Sequence, residues 1–297
     1  MTIYTQIDAN KRKTRLIMAL FIIFISLIGY IFGRIYGSGL SGFGVALIIS
    51  GVMSFFSYYY SDKVVLLLSS AKQIHEKDNP HFFHTVENLC IGSGLPMPKI
   101  YIIEDTAPNA FATGRDPEHA VLVATTGLLQ KLEKLELEGV VAHELSHIKN
   151  YDIRLMSIVV ILVGVISLLA DWFIRSFWWS GGRRRERRGR GGNIGFILLA
   201  VGIVLAILSP VIATLLKLAI SRNREYLADA SAALLTRYPD GLASALEKIA
   251  TDKEPLEAAN AGTAHLYIVN PLKSDIMHNL FSTHPPVGER IQRLRAM

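Results

Sequence analysis

The chain has 297 residues and a net charge of +6, with 51% of its residues hydrophobic and only 19% charged. A mean hydropathy of +0.33 excludes a protein soluble throughout, since ordinary soluble domains carry about 25% charged residues. The single cysteine, Cys90, excludes an intrachain disulfide; it reads as a small buried hydrophobe and leaves no case for a cysteine protease.

Membrane spans come first in chain order, because about 20 apolar residues cross a hydrocarbon core. Residues 16–36 form one such run, interrupted only by Arg34, and residues 39–60 form a second that ends in a tyrosine cluster suited to the interface. Lys11, Arg12, Lys13 and Arg15 resemble the basic region of a signal peptide. The apolar run behind them is too long for one, and a second span follows at once. Next comes a soluble segment, 61–154. Its isoleucine-rich KIYIIED (99–105) reads as a strand, and NAFAT (109–113) and AVLVATT (120–126) read as two more, joined by the turn-forming GRDPEH. Thr126 opens a helix, and a second helix runs from about Leu135 through the H-E-x-x-H (143–147) of VVAHELSHIKNYD (140–152).

Residues 155–170 are a third, shorter apolar run, closed by Asp171 within an aromatic stretch typical of a membrane boundary. The arginine-rich GGRRRERRGRGG (181–192) reads as a solvated loop. No aromatic-bearing RNA motif accompanies it, so anionic lipid headgroups rather than nucleic acid are its expected partner. A fourth run covers 194–216. The tail, 221–297, is mostly helical, with a short strand expected at HLYIV (265–269) and a final amphipathic helix, PVGERIQRLRAM. The expected organisation is a transmembrane hairpin (1–60), a first soluble part (61–154), a second apolar hairpin (155–220) and a second soluble part (221–297). The fold class is α+β, helix-dominated, with a small sheet.

The chemistry concentrates in H-E-x-x-H. On a helix, His143 and His147 lie one turn apart on one face and can present two imidazoles to one ion, with Glu144 beside them as general base for a metal-bound water. A catalytic zinc takes three protein ligands and keeps one position open. Asn150 and Ile153 stand where an extended H-E-x-x-H-x-x-G-x-x-H run would place its glycine and third histidine, so the third ligand comes from further along. The candidates are Glu225 and Asp229 in SRNREYLADA (221–230), also one turn apart. One can ligate while the other orients a ligand histidine. His75, His81, His84 and His119 lie in polar or turn-forming stretches and read as surface residues.

HELSHIKNYD, RNREYLADA, PNAFATG and FSTHPPVGER occur here in an order that resembles the HtpX family of membrane zinc metalloproteases, relatives of the CAAX prenyl endoprotease. The resemblance covers nearly the whole chain. It implies one Zn2+ held by His143, His147 and Glu225, peptide hydrolysis by water activated by zinc and Glu144, and Asp229 as a carboxylate behind the ligands. It also implies that Asn109 acts on a substrate-binding edge strand, Ala110, Phe111, Ala112 and Thr113, and that His284 and Arg290 stabilise the oxyanion. The activity it implies is quality control of misfolded membrane proteins in a bacterial inner membrane, with catalysis on the cytoplasmic side.

If His147 and Glu225 share one ion, the third and fourth runs begin and end on the same side of the membrane. Lys11, Arg12, Lys13, Arg15, Lys63 and Lys72 favour a cytoplasmic N-terminus and catalytic domain, whereas the arginine run then falls outside, against the same bias. A shallow second hairpin or an inverted topology would each resolve that conflict. Two other activities fit the sequence: a processing protease for a few defined substrates, and a non-catalytic scaffold carrying the metal. The intact Glu144 speaks against the second, because a structural site needs no base.

Overall fold

A computed structural model of the chain describes residues 3–35, 39–181, 222–259, 263–271 and 285–297. The fourth apolar run, the arginine-rich loop beyond Gly181, and His284 lie outside the described residues. Two compact units emerge: one gathers Met1–Thr14, Tyr58–Ile158 and Lys217–Met297, the other Arg15–Ser57 and Val159–Leu216.

Long apolar helices run through the second unit. Helix α1 (Ile3–Ile35) and α2 (Gly39–Leu68) leave Ile23, Leu27, Ile48 and Phe55 more than half exposed. A soluble protein would cover such faces, and a hydrocarbon surrounding suits them. The stretches long and apolar enough to cross a membrane, among the described residues, are Ile7–Ile31, Leu40–Leu68 and Asp152–Leu169. The third apolar run is longer in the structure than the sequence suggested: it belongs to a single 30-residue helix, Asp152–Gly181. Asp171 does not end the helix; it pairs one turn on with Arg175 at 2.8 Å.

The first unit is built on a four-stranded sheet in the order β1-β2-β4-β3. Strands β1 (Lys72–Gln73), β2 (Lys99–Ile103), β3 (Ala110–Gly114) and β4 (Ala120–Thr125) supply it, with β4 parallel to β2 and antiparallel to β3. Helix α3 (Pro80–Ser93) starts at Asn79, whose side chain accepts from the Phe82 N–H, and stops at Gly94 in the left-handed region at φ 69°. After a short α4 (Thr126–Lys131), α5 (Lys134–Lys149) begins with a reciprocal capping box between Glu133 and Glu136. From Gly139 to Ile148 every residue of α5 is buried, so this helix is the axis of the domain. It packs against α7 (Arg222–Thr236) and α8 (Pro239–Thr251), with α6 (Asp152–Gly181) leaving its C-terminal end. Close approach to α8 depends on two glycines. A Cβ on Gly139 would stand 2.7 Å from the Leu242 nitrogen, and one on Gly241 would stand 2.5 Å from the Leu135 oxygen. The last helix, α9 (Val287–Arg295), also packs on α8.

The expected strand at 265–269 is not one. The segment forms turns, with Leu266 N–H donating to the Thr263 carbonyl. Two of its carbonyls serve side chains instead of a ladder: Ile268 O accepts from Arg290 and Val269 O from Asn109. A single main-chain bond, Ile268 N–H to Ala110 O at 3.0 Å, ties it to the outer edge of β3.

Candidate metal centre

A helix buried on all sides tolerates polar residues only where they have partners. Among the buried polar residues of α5 are His143, Glu144 and His147, which are 0, 2 and 4% exposed. One turn apart, the two imidazoles meet edge to face, and their Nε2 atoms lie 3.2 Å apart. Glu225 enters from α7: its carboxylate oxygens stand 3.6 Å from His143 Nε2 and 3.5 Å from His147 Nε2. Ligand atoms of His143, His147 and Glu225 all fall within 4.8 Å of one another.

Each imidazole has a carboxylate at its other nitrogen. His143 Nδ1 is 3.0 Å from Asp229 and His147 Nδ1 is 3.0 Å from Asp152. Each carboxylate in turn is held by a buried arginine. Arg290 grips Asp229 through Nε at 2.9 Å and Nη2 at 2.7 Å, while Arg224 donates to Asp152 Oδ1 at 2.6 Å. A carboxylate at Nδ1 fixes the tautomer that donates there and turns the Nε2 lone pair inward. Two such lone pairs 3.2 Å apart beside a carboxylate, all buried, repel unless a cation lies among them. Two imidazoles and one carboxylate also match the donor set of a catalytic zinc. The residues fit a divalent metal ion.

The same surroundings favour the protonated imidazole in the absence of a cation. Burial works against the imidazolium of His147, but the Glu225 charge and Asp152 override it and push its pKa up to about 9. His143 is raised too, against burial, by Asp229 and Glu225. Burial would lift the Asp229 carboxyl, and the Arg290 guanidinium and His143 hold it below its ordinary range. A metal needs the neutral imidazole, so loading must expel a proton. At pH 7.5 zinc uptake is expected to release about one proton, read as the change in calorimetric binding enthalpy between two buffers of different ionisation enthalpy. No buffer dependence would mean that the imidazoles are already neutral. The same raised pKa stabilises the metal-free fold below the ordinary value of 6.5, and that contribution is lost as pH rises through about 9.

The other residues singled out by the sequence are placed as follows. Asn109, 4% exposed, donates from Nδ2 to Val269 O at 2.9 Å and accepts from the Ala110 N–H. It lines a cavity of about 200 Å3 with Ala107, Pro108, Asp252, Leu256 and Val269. Ala110, Phe111, Ala112 and Thr113 form β3, the last strand of the sheet, all buried. Arg290 is 0% exposed; it donates to Asp229 and to Ile268 O at 2.9 Å, and its Nη2 also lies 3.4 Å from the His143 ring nitrogens. His75, His81, His84 and His119 are exposed. Sequence reasoning missed Asp152 and Arg224. Both lie inside the quoted motifs, five residues after His147 and one before Glu225, but nothing in their spacing separates them from residues on a solvated helix end.

Residues 76–297 match Peptidase family M48. A protease HtpX homolog of Dictyoglomus thermophilum is 50% identical over 296 residues, spanning 100% of this chain and 95% of the relative. Another HtpX homolog, from Ligilactobacillus salivarius, is 46% identical over 297 residues, with 99 and 100% coverage. Among solved structures, the crystal structure of S. mikatae Ste24p superposes with a TM-score of 0.51 at 20% identity, covering 98% of this chain and 66% of that one. At that identity the likeness is one of fold. With a His-His-Glu cluster inside the matched region and apolar helices long enough to span a bilayer, the chain belongs to Peptidase family M48, as a membrane metalloprotease of the HtpX type.

Proposed function

We propose that this protein is a zinc-dependent endopeptidase that cleaves misfolded or damaged membrane proteins, in a bacterial inner membrane with its catalytic unit cytoplasmic. The observation that carries the reading is the convergence of His143, His147 and Glu225 within 4.8 Å, with buried Glu144 next to His143 on α5. Zinc held by these three residues would supply Lewis acidity, able to lower the pKa of water toward about 7. Glu144 takes the proton from the attacking water and delivers it to the leaving amine. Asp229 and Asp152 hold the two imidazoles in register, and Arg290 acts through Asp229, whose two oxygens it binds from Nε and Nη2. His284 is the remaining candidate for the donor that meets the developing oxyanion.

Substrate adds as a strand along β3, beside Asn109. Ala110 O already accepts from Ile268, and alternation puts the Ala112 N–H and C=O on the same outer edge. Main-chain pairing reads little side-chain sequence, which suits a protease for unfolded segments. Full-length protein in detergent is expected to cut an unfolded protein at sites without a tight consensus, to stop on chelation, and to resume on zinc addition. Cleavage confined to one short consensus would favour a processing protease. Metal uptake with no cleavage of any unfolded chain would favour the scaffold.

A further inference from the structure

The corner between α5 and α6 lies directly behind the metal ligands, and it is strained. Asn150 ends α5, Asp152 begins α6, and between them Tyr151 takes φ 60°, a left-handed conformation costly for a bulky residue. Such residues persist only where their surroundings hold them. The N-terminal helix α1 supplies that hold with two consecutive residues. Asn10, 1% exposed, donates from Nδ2 to the Asn150 carbonyl at 2.8 Å and to Asp152 Oδ1 at 2.6 Å. Lys11 places its ammonium 4.4 Å from the Tyr151 ring centroid.

The consequence runs through Asp152. Asn10 and Arg224 both donate to Oδ1, and His147 faces Oδ2 at 3.0 Å. With one oxygen saturated, the other is aimed at the imidazole and sets which nitrogen turns toward the ligand cluster. We infer that Asn10 is a positioning residue for the metal centre, acting through Asp152 on His147, so that the first membrane helix is a working part of the metal site. The inference rests on the metal-centre reading above. Asn10 is buried near the start of a spanning helix, and its amide donates to both sides of this corner.

The test is zinc affinity of the full-length protein in detergent, measured by competition with a chromophoric chelator, over a double-mutant cycle of Asn10→Leu and Asp152→Asn. Outer partners of metal ligands typically contribute about 10- to 100-fold to affinity. Asn10→Leu is expected to weaken zinc binding about tenfold, and to weaken it by less than about threefold more once Asp152→Asn is present, because a residue acting through another couples to it. Thermal midpoints of the metal-free variants are followed alongside. Unchanged affinity in Asn10→Leu, or losses that multiply across the cycle, would overturn the assignment. If Asn10→Leu does not fold, Asn10→Ser, which keeps one donor, takes its place and is expected to show a smaller loss of the same coupled kind. A wild-type chain that takes up no zinc would sink the metal-centre reading and the role of Asn10 with it. A wild-type chain that loads while Asn10→Leu matches it would sink the role of Asn10 alone.

Discussion

Glu144→Gln is expected to keep its bound zinc and lose cleavage by about 10²- to 10⁴-fold, the range a positioned general base contributes. Glutamine matches the glutamate in volume and remains a hydrogen-bonding group, so the 2% exposed position is not emptied. What it removes is the capacity to accept a proton. The three ligand side chains stay in place, because Asp229 and Asp152 fix the imidazoles from behind and Glu225 comes from a separate helix. Measuring bound metal and turnover on the same preparation separates the two roles. Loss of metal together with activity would make Glu144 a ligand or a structural support. Full activity with metal bound would place the base elsewhere, and no other carboxylate is next to the ligands on α5.

Much of this centre was legible in the sequence, for reasons specific to its residues. His143 and His147 announce themselves because helical spacing alone puts them on one face. Glu225 and Asp229 share that property, yet the spacing could not say which of the two faces the Nε2 atoms. The structure separates them by the atom each faces: Glu225 stands at the Nε2 atoms and Asp229 at a Nδ1. Asp152, Arg224 and Asn10 were not legible. Their meaning lies in contacts across 72 and 142 residues of sequence, and no local pattern records which distant donor reaches which carboxylate. The misread strand at 265–269 failed for a related reason. Its apolar composition is that of a strand, but its carbonyls are claimed by Asn109 and Arg290, and side-chain demands on a backbone are invisible until the fold brings them together.

The same logic makes Arg290 the residue whose loss is expected to cost most in stability. It is 0% exposed and is bound to both oxygens of Asp229 at 2.7 and 2.9 Å, to Ile268 O at 2.9 Å, and lies 3.6 Å from Glu225. Arg290→Met keeps most of the apolar volume and leaves Asp229 as a buried carboxylate without its cation. Breaking a buried pair from one side costs about 3–5 kcal/mol, whereas neutralising both partners costs far less. Chemical denaturation in mild detergent should show that loss in Arg290→Met and a partial recovery in Arg290→Met with Asp229→Asn. The sign of the pH dependence follows from Asp229, whose carboxyl is held low in the fold. Its contribution is present above the ordinary carboxyl pKa of about 3.9 and is lost as pH falls through the depressed value. Without Arg290 that depression is relieved, so the deficit of Arg290→Met should shrink as pH is lowered below about 4. A deficit that is constant with pH and not recovered by Asp229→Asn would mean that Arg290 contributes through packing. In that case the brace behind His143 would be Asp229 alone, and zinc affinity would survive the loss of Arg290.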